Sequence, residues 1–215
     1  TYYQAAQAST SETYEGWAPN QSVANGYNAI RFADVLLWTA EAEIEIGSLT
    51  NAEKYVNMVR DRAADKTGWV HTYKDDTKPL GGFTDVPAAN YKVGYYGTYA
   101  GANGGTSNPT MSFATQGKEF ARKAVQFERR IELGMEGHRF FDLQRWDAIF
   151  GGPSGAGFMA KTLNDYLDHE VHVKDFPSAL LNVAHFKAGQ SELFPVPISQ
   201  INLTNGAIKQ NPGYN

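Results

Sequence analysis

Glu128, Glu132 and Glu136 recur four residues apart, a spacing that lines carboxylates along one face of a helix. Glycoside hydrolysis uses two Asp or Glu side chains about 5–9 Å apart across a sugar, so this row is the first candidate for catalysis. Each member has arginine or lysine neighbours in sequence. Those cations favour the ionised form, which cannot act as a general acid. His169-Glu170-Val171-His172 resembles a zinc-peptidase helix, but its histidines are three apart where a shared zinc needs four. Gly155-Ala156-Gly157-Phe158-Met159-Ala160 matches the alanine variant of the dinucleotide fingerprint, without the preceding strand or the βαβ unit that gives it meaning. Asp75-Asp76 lacks the ligand spacing of a calcium loop and reads as a solvated acidic turn. No catalytic residue, metal site or cofactor is therefore expected.

The aromatic residues are the stronger signal. The chain has 12 Tyr, 12 Phe and 4 Trp, and many of them fall in a stretch rich in Gly, Asn, Thr and Pro. Flat rings cover the C–H face of a sugar, while amide and charged side chains satisfy its hydroxyl rim, which is costly to bury unpaired. Tyrosine also loses little entropy on binding. Trp69, Tyr73, Tyr91, Tyr95, Tyr96, Tyr99 and Asn103 are the candidate ligand-binding residues, with Asn90 and Lys92 beside them. About half of the rings are expected to anchor the long loop instead of meeting ligand.

Something regular must hold that loop. Ile30, Ala33, Leu37, Ala40 and Ile44 recur at spacings of three and four and predict a helix with one apolar stripe. Gly47 is read as its stop, in a left-handed C′ position. Thr50 and Glu53 form a capping-box pattern for a second helix, striped by Ala52, Val56, Val59 and Ala63. The short turn predicts an antiparallel, tetratricopeptide-like pair. Such a pair cannot cover its own apolar faces, and about three repeats make a stable solenoid, so further repeats are expected before residue 1. Phe120, Ala124, Phe127 and Ile131 predict a third helix, interrupted at Gly134 and Gly137. A short helix then carries Phe140, Leu143 and Trp146, with Arg139, Asp142 and Arg145 forming a ladder three residues apart. That ladder is read as packing, not as a site. A further helix is expected around Ala160 to Leu167, and Pro195, Pro197 and Pro212 exclude a long helix in the tail. The organisation is a lead-in at 1–29, a helical pair at 30–66, an aromatic insert at 67–116, a helical motif at 117–147 and a loop-rich segment at 148–215. The fold class is mainly α, a tetratricopeptide-like helical scaffold with long irregular ligand-binding loops.

The 215 residues carry a net charge of −4, and without a Lys/Arg run they offer nothing to attract nucleic acid. There is no cysteine, hence no disulfide framework. No apolar run approaches the roughly 18 residues that span a bilayer. The chain starts at Thr1 without a signal segment and is read as a processed product or a fragment.

Three stretches together resemble the SusD/RagB family. The first is Arg31-Phe32-Ala33-Asp34-Val35-Leu36-Leu37 through Ala40-Glu41-Ala42 to Val59-Arg60-Asp61-Arg62-Ala63. The second is Glu128-Arg129-Arg130-Ile131-Glu132-Leu133 into Glu136-Gly137-His138-Arg139-Phe140-Phe141-Asp142-Leu143-Gln144-Arg145-Trp146. The third is Leu193-Phe194-Pro195-Val196-Pro197, ending at Gln210-Asn211-Pro212-Gly213-Tyr214. Their order and spacing match from about residue 30 to the end. The resemblance implies a surface-exposed lipoprotein of the Bacteroidetes outer membrane, a non-catalytic protein that captures oligosaccharides, or in some cases peptides. It implies delivery of them to a SusC-like, TonB-dependent transporter. The lipidated cysteine and the first helical repeats of such proteins are absent from this sequence, so contact with the membrane is expected only through an N-terminal anchor outside it. Gln144 stands where a basic residue is common, and Gly134 where a small residue other than glycine is. The alternative function is a helical-repeat adaptor that binds peptides or protein partners on its helices.

Overall fold

A computed structural model describes residues 29–78, 81–173 and 185–214. The lead-in at 1–28 lies outside the described residues. Mainly α architecture is observed: seven α-helices, among the described residues, with two small sheets. The chain forms two compact units, divided between Gly134 and Met135.

The first unit is built on a helical pair, α1 (Phe32–Ile46) and α2 (Leu49–Ala64). Ala33, Leu36, Leu37, Ala40 and Ile44 bury one face of α1, whereas Ile30 precedes the helix and is 62% exposed. The turn differs from the expected one. Gly47 has φ −125°, outside the left-handed region. Glu43 instead folds back over it, and its carboxylate accepts from Ser48 N at 2.8 Å; a Cβ on Gly47 would collide with that carboxylate. Ser48, not Thr50, is the N-cap of α2, its hydroxyl accepting from Asn51 N at 3.4 Å. Ala52, Val56 and Val59 are buried as predicted, but Ala64 takes the inward place expected of Ala63.

Residues 67–116 are more regular than their composition indicates. β1 (His71–Tyr73) pairs antiparallel with β2 (Phe83–Pro87). β3 (Gly94–Tyr96) pairs parallel with β4 (Thr106–Asn108) in the register Gly94 to Thr106, Tyr95 to Ser107 and Tyr96 to Asn108. Strands of three residues are too short for an alternating pattern to stand out in sequence.

After a one-turn helix, α3 (Phe113–Gln116), comes α4 (Lys118–Glu132), which packs on both α1 and α2. Its inner face is Ala121, Ala124, Val125, Glu128 and Arg129. The predicted stripe is thus rotated: Phe127 is 51% and Ile131 54% exposed. Three ion pairs explain the rotation. Arg60 Nε donates to Glu128 Oε2 at 2.7 Å, and Arg129 lies 3.4 Å from Asp34 and 3.7 Å from Glu41. Paired charge occupies positions that a hydrophobicity count assigns to solvent. Leu37, Val56, Val59, Phe113 and Val125 close the core.

The second unit holds α5 (Arg139–Trp146), α6 (Phe158–Val173) and α7 (Ile198–Leu203). Leu143, Trp146 and Met159 form its core, with Phe140 and Leu163 against them. Asp142 accepts from Arg145 Nε at 3.0 Å, and Arg139 and Arg145 both lie over the buried Trp146 ring. Asp147 is fully buried, and its carboxylate accepts from Ile149, Gly157 and Met159 N–H groups. Gly157 of the apparent dinucleotide fingerprint is therefore one strut of a loop closed on Asp147. Helix α6 is longer at both ends than the span predicted from Ala160 to Leu167.

Candidate functional site

One face of α2 receives the aromatic insert. Glu53, Asn57 and Asp61 are four residues apart, with Arg60 beside them, so they form one ridge. Each binds insert backbone or hydroxyl. Glu53 accepts from Phe113 N at 2.6 Å. Asn57 accepts from Tyr96 N at 2.8 Å and donates to Tyr96 O at 2.9 Å. Arg60 donates to Gly94 O at 2.7 Å and to the Tyr96 hydroxyl at 3.1 Å. Asp61 accepts from the Tyr95 hydroxyl at 2.5 Å, Ala102 N at 3.1 Å and Asn103 N at 3.0 Å. Arg60 and Asp61 belong to the stretch Val59-Arg60-Asp61-Arg62-Ala63, whose sequence assigns neither a function. Their signal is a polar row at helical spacing on a helix whose neighbouring residues are buried.

This ridge decides which rings face inward. Tyr95 is 2% exposed and Tyr96 8%, so neither offers a face to a ligand, contrary to expectation. Tyr96 packs on Phe113 and Phe120 in the core, with the Arg60 guanidinium 4.2 Å from its centroid. Loop 101–105 wraps the Tyr95 ring so closely that a Cβ on Gly105 would overlap it. Tyr99 meets the same ring edge-on at 5.2 Å. Tyr73 stacks on Phe83 across the β1–β2 hairpin at 5.1 Å. It is 43% exposed and does not join the others.

Trp69, Tyr91 and Asn103 are brought together. They line one cavity of about 450 Å³ with Lys66, Lys92 and Thr106, within the range of about 300–1,000 Å³ typical of small-ligand pockets. The Trp69 and Tyr91 centroids are 5.1 Å apart with planes inclined by 42°. Both rings are half-buried. Trp69 is fixed by its indole N–H, which donates to Ala63 O at 3.0 Å. Asn103 is fixed by Nδ2, which donates to Asp61 O at 3.0 Å, leaving its side-chain oxygen as an acceptor. The site thus has flat apolar surface, a neutral acceptor, residues that carry hydroxyls and two lysines.

The electrostatics beneath the cavity lock the loop. Burial raises the Asp61 carboxyl, but the Tyr95 hydroxyl and the Asn103 and Ala102 N–H groups outweigh it and hold it below the usual aspartate value. Burial and the neighbouring Asp61 push the Tyr95 hydroxyl up. The anchor is therefore an ionised carboxylate accepting from a protonated phenol.

The acidic row behaves differently from its sequence reading. Glu128 is 3% exposed, and burial pushes its carboxyl above the ordinary glutamate value although Arg60 pulls it down. The expectation that basic neighbours would dominate fails for this residue. Glu128 is nevertheless enclosed, where no substrate reaches it. Glu132 accepts from Arg31 at 2.5 Å and Arg62 at 2.7 Å. Glu136 follows the end of α4 and belongs to the second unit.

No curated protein matches the chain at a significant level. The SusD family profile matches residues 1–214. With a helical pair carrying an ordered aromatic insert, and a profile match over nearly the whole length, this chain belongs to the SusD family.

Proposed function

We propose that the Trp69–Tyr91 cavity is the ligand site of a non-catalytic protein that captures oligo- or polysaccharide at the cell surface and passes it to a TonB-dependent outer-membrane transporter. Family membership supports glycan-binding nutrient uptake by a protein that binds and does not catalyse. No helix among the described residues is long and apolar enough to cross a membrane, and attachment through an N-terminal lipid is part of the proposal. The observation that carries the reading is the pair of half-buried rings in one cavity with Asn103. Stacking covers a sugar face, and the polar rim satisfies its hydroxyls.

The test is isothermal titration of the wild type, Trp69→Ala and Tyr91→Ala against a panel of oligosaccharides, with melting curves as control. Loss of one anchoring ring weakens binding about tenfold, the scale of 1.4 kcal/mol, with little change in melting temperature. Wild-type affinity in both variants would remove the site assignment.

A second reading has its own observation. Phe32, Val35 and Trp38 lie exposed along α1, as a helical adaptor for peptides or proteins would present them. Capture of a partner that is lost in Phe32→Ser but kept in Trp69→Ala favours that reading.

A further inference from the structure

The lining of the Trp69–Tyr91 cavity is electrically one-sided. Lys66 and Lys92 line it, and among the described residues no Asp or Glu does. This stands out in a chain of net charge −4. The carboxylates adjacent in sequence are turned to other work. Asp61 accepts from Tyr95, Ala102 and Asn103. Asp65 accepts from both the amide and the hydroxyl of Thr67, at 2.9 and 2.7 Å. Lys118 and Lys123 on α4 each pair with a carboxylate, whereas among the described residues Lys66 and Lys92 have no ion-pair partner. Lys66 Nζ stands 5.9 Å from the Trp69 ring centroid. A cation is thus held over the Trp69 ring of the cavity, and Lys92 follows Tyr91 directly.

We propose that the cavity between Trp69 and Tyr91 selects acidic saccharides, sugars carrying a carboxylate or sulfate that Lys66 and Lys92 meet while the ring stacks on the aromatic pair. This rests on the reading of that cavity as the ligand site. A neutral saccharide would meet the same rings but leave both ammonium groups unused. An acidic one adds charge-assisted hydrogen bonds at points fixed relative to the stacked ring.

The test uses the full chain with three probes of equal length: an oligogalacturonate, a sulfated galactan oligosaccharide and the neutral galactan oligosaccharide. At low salt, at least one acidic probe binds ten times or more tighter than the neutral one, and the comparison of the two shows which anion is preferred. The advantage shrinks as salt rises from 50 to 500 mM. Lys66→Gln/Lys92→Gln collapses the acidic-to-neutral affinity ratio, while Lys123→Gln, which removes one charge from the α4 surface, leaves that ratio intact. Equal affinity for all three probes, absence of binding by both acidic probes, or an unchanged ratio in the double lysine variant overturns the proposal. Failure of the site itself looks different. Trp69→Ala would then bind every probe like the wild type, whereas a wrong charge assignment leaves Trp69→Ala impaired and the lysine variant normal.

Discussion

Tyr95, Tyr96 and Tyr91 have the same chemistry and opposite fates. Tyr96 is held at both backbone groups by Asn57, so its ring is drawn under the insert into the core. Tyr96→Phe deletes one hydroxyl that accepts from Arg60 and should cost about 0.5–1.5 kcal/mol. Tyr96→Ala empties a place against Phe113 and Phe120 and should cost about 3–5 kcal/mol. Urea unfolding of the two variants checks the difference, and near-equal losses would show that the ring is not part of the core. Asp61→Ala removes the acceptor shared by Tyr95, Ala102 and Asn103. It should cost about 1–3 kcal/mol and weaken oligosaccharide binding without touching a cavity ring. Titration calorimetry beside a melting curve measures both. That the insert is aromatic was legible residue by residue. Which rings face out was not, because the choice depends on hydrogen bonds to a helix some forty residues earlier in the chain, as Asn57 and Tyr96 illustrate.

At the scale of elements, helix α2 has two faces with two tasks. Ala52, Val56 and Val59 pack the core, while Glu53, Asn57, Arg60 and Asp61 receive the insert. The apolar face obeys helical periodicity and was legible from spacing alone. The polar face has the same periodicity but resembles any solvated surface until its partners are known. Helix α4 shows the converse error. Phe127 and Ile131 drew the predicted stripe away from Glu128 and Arg129, whose burial depends on partners in α1 and α2. The Arg60–Glu128 pair makes this testable. Arg60→Met leaves Glu128 buried without its cation and should destabilise by about 3–5 kcal/mol. Adding Glu128→Leu should recover most of that loss, since an apolar pair of similar volume often replaces a buried ion pair without penalty. A double-mutant cycle by denaturant unfolding measures the coupling. Additive losses would mean that the pair does not determine the orientation of α4.

Across the molecule, charge makes stability depend on pH, and the principal carboxylates pull in opposite directions. Glu45 on α1 accepts from Arg122 Nε at 2.6 Å and Nη2 at 2.8 Å, and lies 2.8 Å from Lys118, so it ties α1 to α4. The Arg122 hydrogen bond chiefly, against burial and with help from Lys118, lowers its carboxyl from 4.5 to about 2. A value depressed on folding means that the unfolded chain binds the proton more readily. The stabilisation is therefore complete above about pH 4.5 and is lost as pH falls towards 2. Asp61 adds to the same acid limb. Glu128 runs the other way. Its value is raised by burial, so its contribution is greatest in acid and declines as pH rises through the folded value. Glu45 is partly solvated, with 36% of its side chain exposed, and screening limits its worth to about 1 kcal/mol. Glu45→Gln should therefore lie about 1 kcal/mol below the wild type at pH 7, and the two should converge as pH approaches 2. Urea unfolding at pH 7, 4 and 2.5 measures that gap, and 1 M salt at pH 7 should narrow it by screening the same pair. A gap of constant size from pH 7 to 2.5 would show that Glu45 stabilises the helices by packing and not by its charge.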